Sequence, residues 1–406
     1  MDDFADFSAE LDQIRDDGRL RRLIPRSIDG AYLVDDAGNR QLNFGGNDYL
    51  GIVADPPIAQ SSRTAETTTQ AGGSTASALV CGWSPLHQRL ARQIAAFEST
   101  AAATLFPSGF AACSGTVATL ARDGDLILSD ELNHASLIDG CRLSPATRIV
   151  YPHRSVDRVT EILQKRRSEF RRAWIVTDGV FSMDGHVAPL PQLCDVAERC
   201  DADLIVDEAH GTGVLGTSGS GLCEATGTKS RVAIRIGTLS KAVGCQGGFV
   251  AGPKPLIETL INRCRPLIYS TSLSPQVVQA AIASFDLIAS EPQRRAKVTR
   301  LARRFRDQIA NVTRPSLDGQ QKHPASQQDE LGELERGVPI IPVHIGADSA
   351  AVRCAAELAV GGFYVPAIRP PTVPAGTARL RVSLSAVHTG AMIDRLAVAI
   401  REICSV

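Results

Sequence analysis

The run "DLIVDEAHGTGVLG" (Asp203 to Gly216) sets an acidic residue, Asp207, directly behind the apolar stretch Leu204 to Val206. A short continuous apolar run reads as a strand buried on both faces, and Asp207 then marks its carboxyl end. The pattern recurs on either side: "RIVY", "AWIVTD", "VAIRIGT" and "GGFVAG" are further short apolar runs, and helix patterns separate them. In "SPLHQRLARQIAAFE", Leu86, Leu90, Ile94 and Phe97 return every three or four residues behind a Ser84-Pro85 start, the spacing of an amphipathic helix. Strand–helix alternation over residues 51–275 predicts an α/β domain, a mainly parallel sheet with helices on both faces.

Residues 1–50 read as an N-terminal arm, a helical segment followed by a hairpin turning at Asp36-Ala37-Gly38-Asn39. Beyond residue 276 the pattern changes to long helices, then strands "PIIPVHI", "FYVPAI" and "RLRVSLS", which predicts a smaller C-terminal α+β domain over 276–406. Residues 313–337 are polar and poor in aromatics and are expected to form a long exposed loop.

The whole chain has 406 residues, 44% of them apolar, with 43 basic against 44 acidic side chains and a formal net charge of -1. That length supports two cores, and the balanced charge supplies no field for nucleic acid or an anionic membrane. The N-terminus is acidic, without a basic-then-apolar leader pattern, and no apolar run approaches a membrane span. A cytoplasmic location is the expectation. The ten cysteines include no CxxC pair and no metal-ligand spacing, so they read as reduced, mostly buried thiols, and no metal site is expected.

The chemistry begins with Asp207. In an open α/β sheet the carboxyl edge is where ligands bind, and a carboxylate there calls for an arginine, a metal or a protonated heterocycle beside it. Lys241 follows the next apolar run, in "RIGTLSKAVGCQGGFVAG", flanked by Gly237, Gly244, Gly247 and Gly248. A lysine in apolar surroundings loses its proton readily and becomes a nucleophile, although a snorkelling lysine at a strand end accounts for the same residue. Taken as a pair, an acid and a lysine on neighbouring strands match pyridoxal phosphate (PLP), whose ring nitrogen takes the acid and whose aldehyde takes the amine. The turn Ser108-Gly109-Phe110 opens a helix and offers free N–H groups to a phosphate. Thr238, Ser240, Ser270, Thr271 and Ser272 add hydroxyls. His134, in "DELNHASLIDG", is placed to lie against a ring, or else to cap a helix or fill a core.

With these residues collected, the chain from about Arg21 onward resembles the α-oxoamine synthases, fold type I PLP-dependent transferases, and most of all their biotin-biosynthetic branch. The landmarks are "LNFGGNDYLG", "LFPSGFAA", "LNHASLIDG", "TDGVFSMDGHVAPL", "VDEAHGTGVLG", "TLSKAVGCQGG", "YSTSLSP" and "AIRPPTVPAGTARLRVSLSAVHT". The resemblance implies Lys241 as Schiff-base lysine, Asp207 against the pyridine nitrogen, His134 stacked on the ring as a candidate acid, and Ser182 and His210 bonded to the cofactor. Gly109, Phe110 and Thr238 fall to the phosphate, with Thr271 as a further cofactor-binding hydroxyl, and Arg21, Asn47, Thr372 and Arg381 to the substrates. Arg381 shares a strand face with Arg379, so for either of them a purely structural ion pair is the alternative. The implied reaction joins L-alanine to a pimeloyl thioester of CoA or a carrier protein with loss of CO₂, in a homodimer whose "YSTSLSP" segment faces the partner's cofactor. The alternatives are a glycine C-acetyltransferase using the same residues, a non-catalytic subunit of this fold, and a nucleotide-binding protein, which would leave Lys241 and Asp207 without a role. Ala78 and Leu79 stand where many relatives carry an arginine or a histidine, and "TLSKA" replaces the frequent "TFGKA".

Overall fold

A computed structural model describes residues 4–53, 55, 73–311 and 325–404. Seven strands form the main sheet in the order Ala102–Phe106, Gly248–Gly252, Ile234–Thr238, Asp203–Asp207, Arg172–Asp178, Asp125–Asp130, Thr147–Tyr151. Gly248–Gly252 runs antiparallel to both neighbours, and the remaining pairs are parallel. The architecture is α/β with a mainly parallel sheet, as the alternation predicts.

The apolar runs are continuous because each strand feeds two cores. Leu204 and Val206 point to one face and Ile205 to the other; Ala173 and Ile175 oppose Trp174 and Val176 in the same way. Helices Pro85–Phe97, Leu190–Arg199 and Pro275–Ser290 cover the first face, and Gly109–Leu120, Ala135–Leu143 and Lys254–Arg263 the second. Helix Pro85–Phe97 begins as its sequence predicts: Ser84 is the N-cap, Pro85 opens the first turn, and His87 returns its Nδ1 to the Ser84 amide at 3.2 Å. Leu90 and Ile94 are its fully buried positions.

A third core gathers helices Pro292–Ile309, Asp348–Val360 and Gly390–Ile403 against strands Ile340–Gly346 and Ala378–Ser383. The N-terminal hairpin, Tyr32–Val34 with Arg40–Asn43, joins this core through Leu42 and Phe44, and Arg40–Asn43 pairs in parallel with Phe363–Tyr364. The run "FYVPAI" is therefore not one strand. Phe363–Tyr364 and Ala367–Ile368 pair in different sheets, with Pro366 between them.

The long loop expected at 313–337 is corrected in its second half: Ala325–Gly337 is a helix. Residues 313–324 lie outside the described residues. Surrounding charge hides the helix in the sequence, since only Leu331 and Leu334 form its apolar stripe. Leu331 is buried against the large core, while Glu335 accepts the Val187 amide at 3.0 Å and pairs with Arg154 at 2.9 Å.

Candidate functional site

Parallel registry brings the acidic residues together. Asp178 and Asp207 end adjacent strands and are register partners, so two carboxyl groups stand side by side at the carboxyl edge. Burial, reinforced by Asp207, holds the Asp178 carboxyl well above the ordinary range. One Asp178 oxygen accepts the His134 amide at 3.0 Å, and the other is buried without a partner among the described residues. Asp207 accepts the Ala209 amide at 2.8 Å and the Cys113 thiol at 3.1 Å.

Lys241 lies just past the next strand, Ile234–Thr238, in a turn closed by the Gly244 amide donating to the Lys241 carbonyl at 2.8 Å. Gly244 takes φ +70°, open to glycine at little cost. The Lys241 amine lies 2.8 Å from His210 Nε2, and burial lowers its pKa although Asp207 and Asp178 pull the other way. His210 is buried and held well below its ordinary pKa, first by desolvation and then by Lys241. Its Nδ1 meets the Tyr49 hydroxyl at 2.7 Å.

His134 is both a rim residue and a cap. Its ring accepts the Ser136 amide at the start of Ala135–Leu143 and meets the Ser136 hydroxyl at 2.7 Å, while Phe110 approaches it edge-on at 6.4 Å. Desolvation lowers the imidazole's pKa against the pull of Asp207.

The glycine turn forms a close floor. A Cβ on Gly109 would stand 3.0 Å from the Thr238 side chain, and one on Gly248 only 2.6 Å from the Ser108 carbonyl. Ser108 caps helix Gly109–Leu120 by accepting the Ala111 amide, and the Gly109 and Phe110 N–H groups have no hydrogen-bond partner among the described residues, which suits an anion. Thr238 hydroxyl donates to the Gly247 carbonyl at 3.0 Å.

Asn47 and Arg381 come from opposite ends of the chain. Arg381 is 5% exposed and gives its donors to the Asn47 side chain (3.2 Å from each terminal nitrogen), the Ser182 carbonyl (2.5 Å) and the Ser383 hydroxyl (2.8 Å). Among the described residues no carboxylate pairs with it. Arg379, on the same strand, is the one that forms the structural ion pair, with Asp184. Three predicted residues lie apart from the cluster. Arg21 is exposed and reaches the Pro370 carbonyl at 3.3 Å; Thr372 is exposed in the turn after Arg369; Thr271 is exposed, bridged to Ser77.

These donors fit PLP. An orphaned buried carboxyl oxygen, a close floor at Gly109 and Gly248, helix N–H groups and a desolvated amine follow neighbouring strands of one sheet at the same edge. Sequence reading passed over Asp178, Tyr49 and Cys113. Asp178 carried the same signal as Asp207, an acid ending an apolar run in "AWIVTD". Tyr49 and Cys113 had none, because their partners lie 161 and 94 residues away.

Comparison with known proteins agrees. The family model "Aminotransferase class I and II" matches residues 39–400. An 8-amino-7-oxononanoate synthase from Anaeromyxobacter dehalogenans is 40% identical over 97% of this chain and 94% of its own, and one from Methylococcus capsulatus 42% identical over 96% and 95%. Among solved structures, Sphingomonas wittichii serine palmitoyltransferase superposes with a TM-score of 0.87 at 28% identity, over 99% of this chain and 97% of that one. An 8-amino-7-oxononanoate synthase from Francisella tularensis gives 0.70 at 26%, over 90% and 97%.

Proposed function

This chain belongs to the 8-amino-7-oxononanoate synthase family, PLP-dependent acyltransferases of aminotransferase class I and II, and from that membership we propose that it condenses L-alanine with a pimeloyl thioester, releasing CO₂ and the thiol carrier. The observation that carries the reading is Arg381, a buried guanidinium lacking a carboxylate partner among the described residues and joined to Lys241 through Tyr49 and His210. An amino acid's carboxylate completes its charge pairing, with Asn47 beside it.

Bound PLP supplies the sink for the electron pair left when the Cα proton departs. The residues divide the remaining work. Lys241, its pKa lowered by desolvation, would hold the cofactor and exchange the Cα proton. Asp207 holds the ring nitrogen, while Gly109, Phe110 and Thr238 hold the phosphate. Ser182 and His210 orient the cofactor, and His134 at the rim polarises the thioester carbonyl. Arg21 and Thr372, both exposed and close to the segment Arg369–Pro370, meet the substrates. Thr271 serves the partner's site in a cytoplasmic homodimer; among the described residues no helix is long and apolar enough to cross a membrane.

Two curated relatives bearing the synthase name are 40% and 42% identical, against 28% for the serine palmitoyltransferase and 26% for the synthase among the solved structures, and that curated pair favours alanine with a pimeloyl donor. The test is free-thiol and CO₂ release with alanine, glycine and serine crossed against acetyl, palmitoyl and pimeloyl thioesters. Highest kcat/KM for alanine with pimeloyl thioester is expected. A serine and palmitoyl optimum, or a glycine and acetyl optimum, overturns the substrate assignment. Sedimentation of an active monomer overturns the dimer.

A further inference from the structure

We propose that Tyr49 is a positioning residue for Lys241: its hydroxyl, flanked by Arg381, fixes the ring hydrogen of His210 so that the imidazole presents an N–H to the lysine amine. The inference rests on the reading of Lys241 as the cofactor lysine and Arg381 as the carboxylate site.

The hydrogen positions follow from the donor and acceptor inventory. Arginine only donates, so Asn47 Oδ1 and the Tyr49 oxygen are acceptors toward Arg381, at 3.2 Å and a longer 3.5 Å. Asn47 Oδ1 already faces two guanidinium N–H groups and lies 3.2 Å from the Tyr49 hydroxyl, whereas His210 Nδ1 lies only 2.7 Å from it. The phenol hydrogen therefore goes to Nδ1. A neutral imidazole accepting at Nδ1 carries its hydrogen on Nε2, the atom 2.8 Å from Lys241 Nζ. Burial keeps His210 neutral and raises the Tyr49 pKa, so neither group gives up this arrangement to bulk titration.

The amine nitrogen is then an acceptor, its lone pair aligned by His210. Asp207 and Asp178 oppose this by favouring the ammonium, and Cys113 adds in the same direction, while Arg381 favours the free base. His134 is the remaining imidazole near the lysine, its pKa lowered by desolvation and next pulled up by Asp207. In so balanced a site, one directed hydrogen bond shifts the amine's titration.

Tyr49→Phe tests this. The ring, fully buried, stays in its slot, and only the hydroxyl is lost. His210 is then free to carry its hydrogen on Nδ1 and to accept from an ammonium at Nε2. Two readouts use the full-length protein. In ¹⁵N-histidine NMR, with His210 assigned by its absence in His210→Gln, the wild type shows the Nε2–H form and Tyr49→Phe moves toward Nδ1–H. In borohydride trapping of PLP on Lys241, the midpoint pH of capture rises in Tyr49→Phe by about half to one pH unit. A wild-type His210 in the Nδ1–H form overturns the proposal, whether or not the variant folds. A Tyr49→Phe protein with unchanged tautomer and midpoint overturns it as well. Absence of any trapped PLP on wild-type Lys241 instead refutes the cofactor-lysine reading, and the His210 tautomer still decides the role of Tyr49.

Discussion

Two buried arginines in this molecule are treated in opposite ways. Arg235, 1% exposed in strand Ile234–Thr238, has a counter-charge: its Nε meets the Glu98 carboxylate at 2.9 Å, and its other nitrogens meet the carbonyls of Glu98, Lys229 and Val232. Arg381, 5% exposed, spends its donors on an amide, a carbonyl and hydroxyls. Burying a cation without a counter-charge is costly, and the fold pairs Arg235 while Arg381 has only neutral acceptors among the described residues, a cost that the proposed amino-acid carboxylate would relieve. Arg379 sharpens the contrast, since its partner Asp184 makes it structural although it shares a strand with Arg381. The two arginines differ in counter-charge rather than in the number of their hydrogen bonds.

The contrast breaks first at Lys241. Lys241→Ala is expected to abolish the borohydride-trappable link to PLP and all thioester turnover, with folding intact by circular dichroism; trapped PLP in the variant would refute its role. Arg381→Ala comes next. Losing the charge-assisted hydrogen bonds to the amino-acid carboxylate is expected to raise the KM for alanine about 100-fold, with thioester KM little changed, by initial-rate kinetics. An unchanged alanine KM would make Arg381 as structural as Arg379.

Glu98→Ala tests the other arginine. Removing one member of a buried pair is expected to destabilise the protein by about 3–5 kcal/mol in urea unfolding while the alanine KM of the folded enzyme stays the same. The smallest effect concerns His388, a buried ring between the Ser385 amide and the Asn43 carbonyl, whose burial lowers its pKa to about 4. The unfolded chain takes up this proton near the ordinary value of 6.5, the folded one only near 4. Stability from this group is therefore full above pH 6.5 and falls by about 1.4 kcal/mol per unit as pH drops from 6.5 toward 4. His388→Gln is expected to flatten that part of the urea midpoint against pH.

Much of the architecture was legible because both faces of the sheet are covered. The central strands then read as unbroken apolar runs, and an acid at the end of such a run is visible without coordinates, as with Asp207. Elements lacking that contrast were not. Helix Ala325–Gly337 buries only a thin leucine stripe beneath a charged surface, and "FYVPAI" divides at Pro366 between two sheets that no local pattern announces. In the candidate site, residues with a local signature were readable: a glycine turn before a helix, a lysine among glycines. Tyr49 and Cys113 were not, since a phenol or thiol in an apolar setting looks like core until its distant partner is known.

The chain's own order of residues thus settled the α/β alternation and the carboxyl-edge position of Asp207, while for Lys241 it left a snorkelling strand-end lysine equally open and burial in the fold decided. The first two follow from local periodicity and from the cost of placing charge among apolar neighbours. Tertiary structure alone decided that Asp178 stands beside Asp207, that Tyr49 reaches His210, and that Arg381 rather than Arg379 is left without a carboxylate. Those outcomes depend on strand register and on segments hundreds of residues apart meeting in three dimensions, and neither is encoded at any single stretch of sequence.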